Sequence, residues 1–308
     1  MDNLCHTLVG AALGQAGLKQ RTRFGSATLM IAANLPDIDV LVFATSVPSV
    51  AFRRGWTHGL LAQVALPVLL TAAMIWLARA RPAPGGTAPL RPGQLLLLAY
   101  AGVLSHVGLD LLNSYGVRLL APFSWSWFYG DALFIIDPWL WLALGVGVWL
   151  ARRMVSPVPA RHALMAAAIY VLAMTANARL ARDVVVEAWR VQRGGRPSWL
   201  MVGPVPVTPF RRQIIVDGGP GYETGTLDWL GARVTFDPVV VPKNDADPRV
   251  ARARGAPDIR GFLVWARFPY WTFELVPGGT RVTVRDMRFA GRTSVRFEAS
   301  TIVREEGE

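Results

Sequence analysis

Histidine and aspartate side chains recur in the apolar half of the chain, where charged groups need partners. The chain has only four histidines, and three of them, His6, His58 and His106, lie in this half. His106 and Asp110 are four residues apart, so one helix would present both side chains on the same face. Imidazole and carboxylate together suit zinc, with manganese or iron as alternatives. These residue types therefore predict a divalent metal site.

A second acidic pair, Asp37 and Asp39, follows Pro36 within an apolar stretch at residues 24–47. A carboxylate in hydrocarbon costs at least about 2.5–3.5 kcal/mol, so something must bind these charges. On an unbroken helix the two side chains would face nearly opposite ways, but proline removes a backbone hydrogen bond and allows a local break. One carboxylate could bind metal while the other orients a histidine. Capping of a helix after Pro36 is the alternative.

The composition predicts a membrane protein. Of 308 residues, 52% are hydrophobic and 17% are charged, whereas an average soluble protein has about 25% charged residues. The formal net charge of +11 comes from scattered basic residues, many of them in short loops between apolar runs. Such loops orient a membrane protein and do not indicate a nucleic-acid partner. A single cysteine, Cys5, excludes an internal disulfide.

Six apolar segments predict six membrane crossings, although the shortest fall below the roughly 20 residues of a perpendicular span. The segments are 3–18, 24–47, 59–80, 93–115, 137–151 and 162–180. Basic residues in the loops 19–23, 79–91 and 152–161 place these three loops in the cytoplasm by the positive-inside rule. The loops 48–58 and 116–136, and the chain after residue 180, then lie outside.

The C-terminal part has a different pattern. Short runs with β-type residues, such as "TRVTVRDMRF", alternate with proline and glycine between residues 196 and 302. The predicted fold is an all-α polytopic membrane bundle of about five to six helices at residues 1–181, followed by a small extramembrane β-rich domain at residues 182–308. The hinge is expected at residues 193–198.

This topology brings the polar candidates to one membrane face. They are His6, Asp37, Asp39, His58, His106, Asp110 and Asp137. A lone histidine in such a helix is more often a packed core residue than a ligand, and Asp137 before Pro138 is typical of a helix N-cap. Structural polar residues have no reason to collect at one depth, so their convergence favours a shared site.

Four stretches resemble a known family when they are taken in order. "HTLVGAALG", "NLPDID", "RGWTHGL" and "SHVGLDLLNSYG" are similar to the YdjM-like family of membrane proteins predicted to be metal-dependent hydrolases, over roughly residues 1–150. The resemblance implies a multi-pass protein of the bacterial inner membrane, with a His/Asp pattern at His6, Asp37, Asp39, His58, His106 and Asp110. The chain departs from this pattern at Gly59, where serine is expected after the histidine.

The expected chemistry is hydrolysis by metal-activated water, whose pKa a zinc-class ion lowers toward about 7. Arg53 and Arg54 could grip a phosphate or carboxylate bidentately, or they could contact lipid headgroups. Asp39 or Asp137 could serve as general base. A site near the interface favours a lipid or lipid-linked phosphoester as substrate.

Two other classes fit parts of the sequence. A transporter would also bury carboxylates and histidines, but it commonly shows repeat symmetry or paired broken helices. A non-catalytic scaffold would use metal for folding and the β-rich domain for a partner. Nucleophilic serine catalysis is disfavoured because the sequence lacks a "GxSxG" elbow.

Overall fold

A computed structural model describes residues 1–45, 47, 49–81, 88–290 and 297–304. The chain forms two compact units, each assembled from three stretches. Unit 1 contains Met1–Asp39, Arg54–Arg179 and Gly203–Pro209. Unit 2 contains Val40–Arg53, Leu180–Val202 and Phe210–Glu308. The domain boundary predicted at residues 181/182 stays a prediction.

The N-terminal part of the chain is helical, as predicted. Its helices are α1 (Asn3–Gln15), α2 (Gly25–Ala32), a 3₁₀-helix (Leu35–Ala44), α3 (Ser49–Phe52), α4 (Leu60–Ala80), α5 (Pro92–Leu111), α6 (Pro138–Arg153) and α7 (Val158–Arg193). Among the described residues, α4, α5 and α7 are long and apolar enough to span a membrane. Helix α2 and the following 3₁₀-helix, which meet at a 51° bend, add a fourth candidate if they form one span. Helices α1 and α6 have 13 and 16 residues, so the expected count of six crossings stays a prediction.

Aspartates begin two neighbouring helices of unit 1. The Asp2 carboxylate accepts hydrogen bonds from the first turn of α1, and Asp137 does the same for α6 with Pro138 at the first helical position. These are the residue types that satisfy the free N–H groups of a helix start. The indole of Trp141 also donates to Asp2, and the Asp2 N–H donates to Ile135. The two helix starts are thereby fixed beside each other.

Small residues allow close helix packing in unit 1. A Cβ on Gly10 of α1 would overlap the backbone of Leu29 in α2, and a Cβ on Gly102 of α5 would overlap Ala32. Backbones approach this closely only where side chains are small, which is common between helices in membranes. Helix α2, which leads into the acidic pair, is therefore held between α1 and α5.

The three basic loops meet at one end of unit 1. The Arg23 guanidinium donates to the carbonyl of Ala78 near the end of α4, and Arg161 donates to the carbonyl of Ala16 after α1. The hydroxyl of Thr22 accepts from the N–H of Arg91. Loops that the positive-inside rule assigns to one compartment therefore share one end of the unit. The compartment itself stays a prediction.

Unit 2 contains the expected β-rich domain, built from two antiparallel sheets. One sheet has the order β1-β2-β3-β4 and the other β5-β6-β7. The strands are β1 (Trp199–Pro204), β2 (Arg211–Asp217), β3 (Gly221–Asp228), β4 (Arg233–Pro242), β5 (Pro269–Val276), β6 (Gly279–Asp286) and β7 (Glu298–Val303), with the short helices α8 (Pro248–Ala253) and α9 (Pro257–Trp265) before β5. The last turns of α7 contribute Val185 and Trp189 to a core with Ile214 and Leu227. The last turns of α7 are thus part of the core of unit 2.

A buried ion pair lies at the end of β6. Asp286 and Arg288 lie 2.9 Å apart with both side chains almost fully buried. Burial alone would raise the pKa of Asp286, but the guanidinium of Arg288 holds that pKa below its ordinary value.

Candidate metal centre

Four of the predicted ligands converge in unit 1. Asp37 lies in the 3₁₀-helix, His58 lies in the turn before α4, and His106 and Asp110 lie one turn apart on α5. All four side chains are buried, and one ligand atom from each lies within 4.8 Å of the others. The helical spacing predicted the His106 and Asp110 pair, while the broken helix after α2 brings Asp37 to the same point.

The broken helix also orients His106. The N–H of Asp37 bonds to the carbonyl of Asn34, so the carbonyl of Ala33 lacks the partner that a continuous α-helix would supply. The Nδ1 atom of His106 lies 2.7 Å from that carbonyl oxygen. A carbonyl can only accept a hydrogen bond, so Nδ1 carries the proton and the neutral ring has its lone pair on Nε2. Nε2 faces the other three residues of the group.

The ring of His58 is also oriented through its Nδ1 atom, here by a side-chain hydroxyl. Its Nδ1 atom lies 3.0 Å from the hydroxyl of Thr57, and this hydroxyl lies 3.1 Å from the Asp39 carboxylate. A carboxylate accepts the hydroxyl proton, so the Thr57 oxygen accepts from Nδ1–H of His58. The lone pair of His58 is therefore also on Nε2.

The two Nε2 atoms lie 3.2 Å apart. With both protons on Nδ1 there is no hydrogen between these nitrogens, and two lone pairs face each other in a buried space. The Asp110 Oδ2 atom lies 3.4 Å from Nε2 of His58 and 3.6 Å from Nε2 of His106, and Asp37 Oδ1 lies 3.9 Å from the latter. Two nitrogens bound at about 2.0–2.1 Å to a tetrahedral zinc ion would be about 3.3 Å apart. The donor set thus fits a divalent cation.

Asp110 contacts several charged and polar groups of the site. The Arg54 guanidinium approaches its Oδ2 at 3.1 Å. The amino group of Met1 contacts Oδ1, and His6 Nε2 lies 3.4 Å from the same oxygen. Arg54 also donates to the side-chain oxygen of Asn113 at 2.9 Å. A buried carboxylate needs a cationic partner such as Arg54 because desolvation strongly penalises its charge.

His6 lies against the site but outside the group of four. Its ring stacks on His106 with the centroids 3.8 Å apart. Within the part of the chain that the structure describes, neither ring nitrogen of His6 makes a hydrogen bond, although both are buried. Two buried ring nitrogens without such bonds are unusual in a packed core. The ligand role expected for His6 stays a prediction.

Asp39 lies on the Nδ1 side of His58, away from the facing nitrogens. Its Oδ2 accepts from the N–H of Arg54 at 2.8 Å and from Thr57. These contacts suit the orienting role that the sequence suggested for one member of the acidic pair. The ligand and general-base roles expected for Asp39 stay predictions.

The remaining predicted residues are spread over different contacts. Asp137 caps α6 and also accepts from the hydroxyl of Tyr170 at 2.9 Å, so its contacts are those of a helix cap and its general-base role stays a prediction. Arg53 stacks over the ring of Phe43 in unit 2, whereas Arg54 contacts the Asp110 carboxylate in unit 1. The structure therefore gives the two arginines different partners, and their expected joint grip on an anion stays a prediction.

Sequence reasoning missed Thr57 and Asn113, although both lie inside the quoted motifs "RGWTHGL" and "SHVGLDLLNSYG". The sequence signal that could have found them is their position close to a candidate ligand, because a hydroxyl or amide there can orient that ligand. The departure at Gly59 also has a physical reason, because a Cβ there would overlap the carbonyl oxygen of Ala121. A serine at this position would not fit the observed packing.

The sequence model of a protein family described as YdjM inner membrane protein matches residues 1–181. The chain belongs to the YdjM family. The match covers all four clustered residues and ends within α7, so the β-rich domain lies beyond it. Comparison with curated proteins gives no match, and comparison with solved structures gives none. Membership in this inner-membrane family confirms the resemblance seen in the motifs, and it agrees with the apolar helices of unit 1.

Proposed function

We propose that this YdjM-family protein is a membrane-bound metal-dependent hydrolase that acts on a phosphoester of a lipid or lipid-linked molecule. The observation that carries the proposal is the pair of imidazole Nε2 atoms, which face each other at 3.2 Å beside two carboxylates in a buried space. A divalent cation between the two nitrogens would satisfy both lone pairs. Zinc suits the mixed donors, and manganese and iron are the alternatives.

The residues that would bind the ion are Asp37, His58, His106 and Asp110, and His6 stacks on His106. A divalent ion at this position would supply an activated water for hydrolysis. Arg54 balances the charge of Asp110, and this leaves less negative charge to repel an anionic substrate. The backbone of Arg54 also fixes Asp39 through its N–H. Arg54 and Asp39 thus help to hold the metal-binding side chains in place, and the surrounding helices exclude bulk water from them.

An aromatic surface close to Arg54 supports a lipid substrate. The carbonyl of Arg54 accepts from the N–H of Arg118. The guanidinium of Arg118 lies over the ring of Trp127 at 4.5 Å and over Trp125 at 5.3 Å. Burial lowers the pKa of Arg118. Trp56 is 50% exposed and packs edge-to-face on Trp125. Tryptophan and arginine are typical of the interface between headgroups and hydrocarbon.

The same proposal places the site toward the non-cytoplasmic face of the membrane. Supporting it, the three basic loops share one end of unit 1, whereas the N-terminal ends of α1 and α6 are separated from these loops by the length of the helices. Helix α7 begins at the end of unit 1 that carries the basic loops. Its C-terminal end, and the β-rich domain that follows it, would then lie on the non-cytoplasmic side.

A non-catalytic scaffold is the second candidate. All four clustered donors are protein side chains and all are buried, and a tetrahedral ion with four protein ligands is typical of structural sites. In that case the ion would stabilise the bundle, and the β-rich domain would bind a partner. Both candidate functions predict a bound metal ion, but only the hydrolase predicts turnover of a substrate.

The experiment measures metal content and turnover on the same purified protein in detergent. A panel of phosphoesters, including phosphatidic acid and a polyprenyl phosphate or diphosphate, is assayed with the wild type, Asp110→Ala and His162→Ala. The hydrolase predicts bound metal and turnover in the wild type and in His162→Ala, and neither in Asp110→Ala. Metal without turnover on any member of the panel would favour the scaffold. Absence of metal from the wild type would overturn both.

A further inference from the structure

We propose that Thr57 is a positioning residue of the metal centre, through which Asp39 fixes the tautomer and direction of the His58 ring. The inference rests on the metal-binding part of the proposed function and is independent of whether the site turns over a substrate. It assigns a role to a hydroxyl that neither the motifs nor the charge pattern singled out.

The distances require the hydroxyl as an intermediary. Nδ1 of His58 lies 3.6 Å from the nearest Asp39 oxygen, which is beyond the range of a nitrogen-to-oxygen hydrogen bond. The hydroxyl of Thr57 lies between them, 3.0 Å from Nδ1 and 3.1 Å from Oδ2. A threonine hydroxyl can donate one hydrogen bond and accept another at the same time. The hydroxyl therefore donates to the Asp39 carboxylate and accepts from Nδ1–H of His58, which links the carboxylate to the ring.

The backbone keeps the acceptor in place. The Asp39 oxygen that accepts from Thr57 also accepts from the Arg54 N–H at 2.8 Å. Arg54 has a left-handed backbone conformation with φ of 57°, which is uncommon for a residue other than glycine, asparagine or aspartate. The turn from Arg54 to His58 therefore presents the Arg54 N–H and the Thr57 hydroxyl to one carboxylate oxygen. Asp39 is 2% exposed, so water competes little for these bonds.

The orientation matters because only one ring nitrogen faces the other donors. If the proton moved to Nε2, His58 would present an N–H to the space between His106 and Asp110 and could not bind a cation there. Partners that fix a ligating histidine typically contribute 10–100-fold to metal affinity. His106 has its own partner in the Ala33 carbonyl, so loss of the Thr57 hydroxyl should affect His58 alone.

The first measurement is the histidine tautomer in metal-free protein. A sample labelled with ¹⁵N only in histidine gives four ring systems, because the chain has four histidines. In the wild type we expect His58 to be protonated at Nδ1. Thr57→Val removes the hydroxyl with little change of shape, and should shift His58 toward the Nε2-protonated form while His106 is unchanged. Thr57→Ser should restore the wild-type signal.

The second measurement is metal affinity by competition with a chelator, using zinc alone as the probe. Thr57→Val should bind about 10–100-fold more weakly than the wild type, and Thr57→Ser should bind within about threefold of it. The matched control is Thr71→Val, which removes a buried hydroxyl that bonds to the Pro67 carbonyl within α4. This control should bind zinc like the wild type.

The outcomes separate the two proposals. Wild-type tautomer and affinity in Thr57→Val would overturn the positioning role and leave the metal centre in place. Equal loss of affinity in Thr57→Val and Thr71→Val would also overturn it, because a general loosening of the bundle would then explain both. A tautomer shift in Thr57→Val, combined with a wild type that binds no zinc, would support the positioning of the ring and overturn the proposed function.

Discussion

Replacement of Arg54 by methionine should destabilise the metal-free protein far more than the metal-bound protein. The guanidinium lies 3.1 Å from Asp110, with side-chain exposures of 8% and 0%. Removing one partner of such a buried pair costs up to about 3–5 kcal/mol, and the amino group of Met1, which also contacts Asp110, would offset part of that cost. Asn113 contributes less to this cost, because its side-chain oxygen also accepts from the Tyr115 N–H.

A bound divalent cation would compensate the same carboxylate, so part of the cost should disappear in its presence. By the thermodynamic cycle, each 1.4 kcal/mol by which metal reduces the cost appears as tenfold tighter metal binding by Arg54→Met. The assay is unfolding in detergent with excess zinc and with excess chelator. Arg54→Lys keeps a charge and should recover part of the loss. Arg153→Met, at an exposed arginine, should change stability by no more than about 0.5 kcal/mol.

Equal destabilisation of Arg54→Met with zinc and with chelator would refute this reasoning. In that case Asp110 and the cation would not interact, and Arg54 would stabilise the bundle only through packing and its other hydrogen bonds. A loss below about 1 kcal/mol in chelator would show that the other contacts of Asp110, such as the amino group of Met1, compensate its charge without the guanidinium.

Three further predictions concern packing, topology and pH. Gly59→Ser should destabilise unit 1 because the new Cβ would overlap the carbonyl of Ala121. The control Gly108→Ala should not, because a Cβ there meets nothing within 4 Å. Equal unfolding midpoints for the two variants would contradict the observed packing at Gly59. After Cys5 is replaced, a cysteine at Thr224 should react with an impermeant thiol reagent from outside the cell, and reaction only from the cytoplasm would reverse the orientation. Protons compete with metal for imidazole and carboxylate, so zinc affinity should fall as the pH falls, and a flat profile between pH 8 and 5.5 would argue against these ligands.

The helical part and the main candidate residues were accessible from sequence because each depends on a local pattern. The spacing of His106 and Asp110 follows from the helical period, and Pro36 allowed a local break in the segment with Asp37. The β-rich runs after residue 196 gave the second domain for the same reason. The family motifs joined these local signals into one site.

Other features depend on contacts between distant parts of the chain, which no local pattern reveals. The sequence treated Arg53 and Arg54 as a pair, and only the folded structure shows that Arg54 has a left-handed backbone conformation and that the two side chains have different partners. The assignment of Val40–Arg53 to unit 2 and of Gly203–Pro209 to unit 1 depends on tertiary packing. The hydroxyl of Thr57 matters only because Asp39 lies beyond it, and that proximity is known only from the folded structure.

The metal content of the purified protein tests the central claim most directly. Elemental analysis of the wild type, purified in detergent without chelator, should show at least one divalent ion per chain. His58→Ala, His106→Ala and Asp110→Ala should each lose it, while His162→Ala should retain it. A wild type without metal that also fails to bind added zinc, or full occupancy in all three ligand variants, would contradict the site described for Asp37, His58, His106 and Asp110.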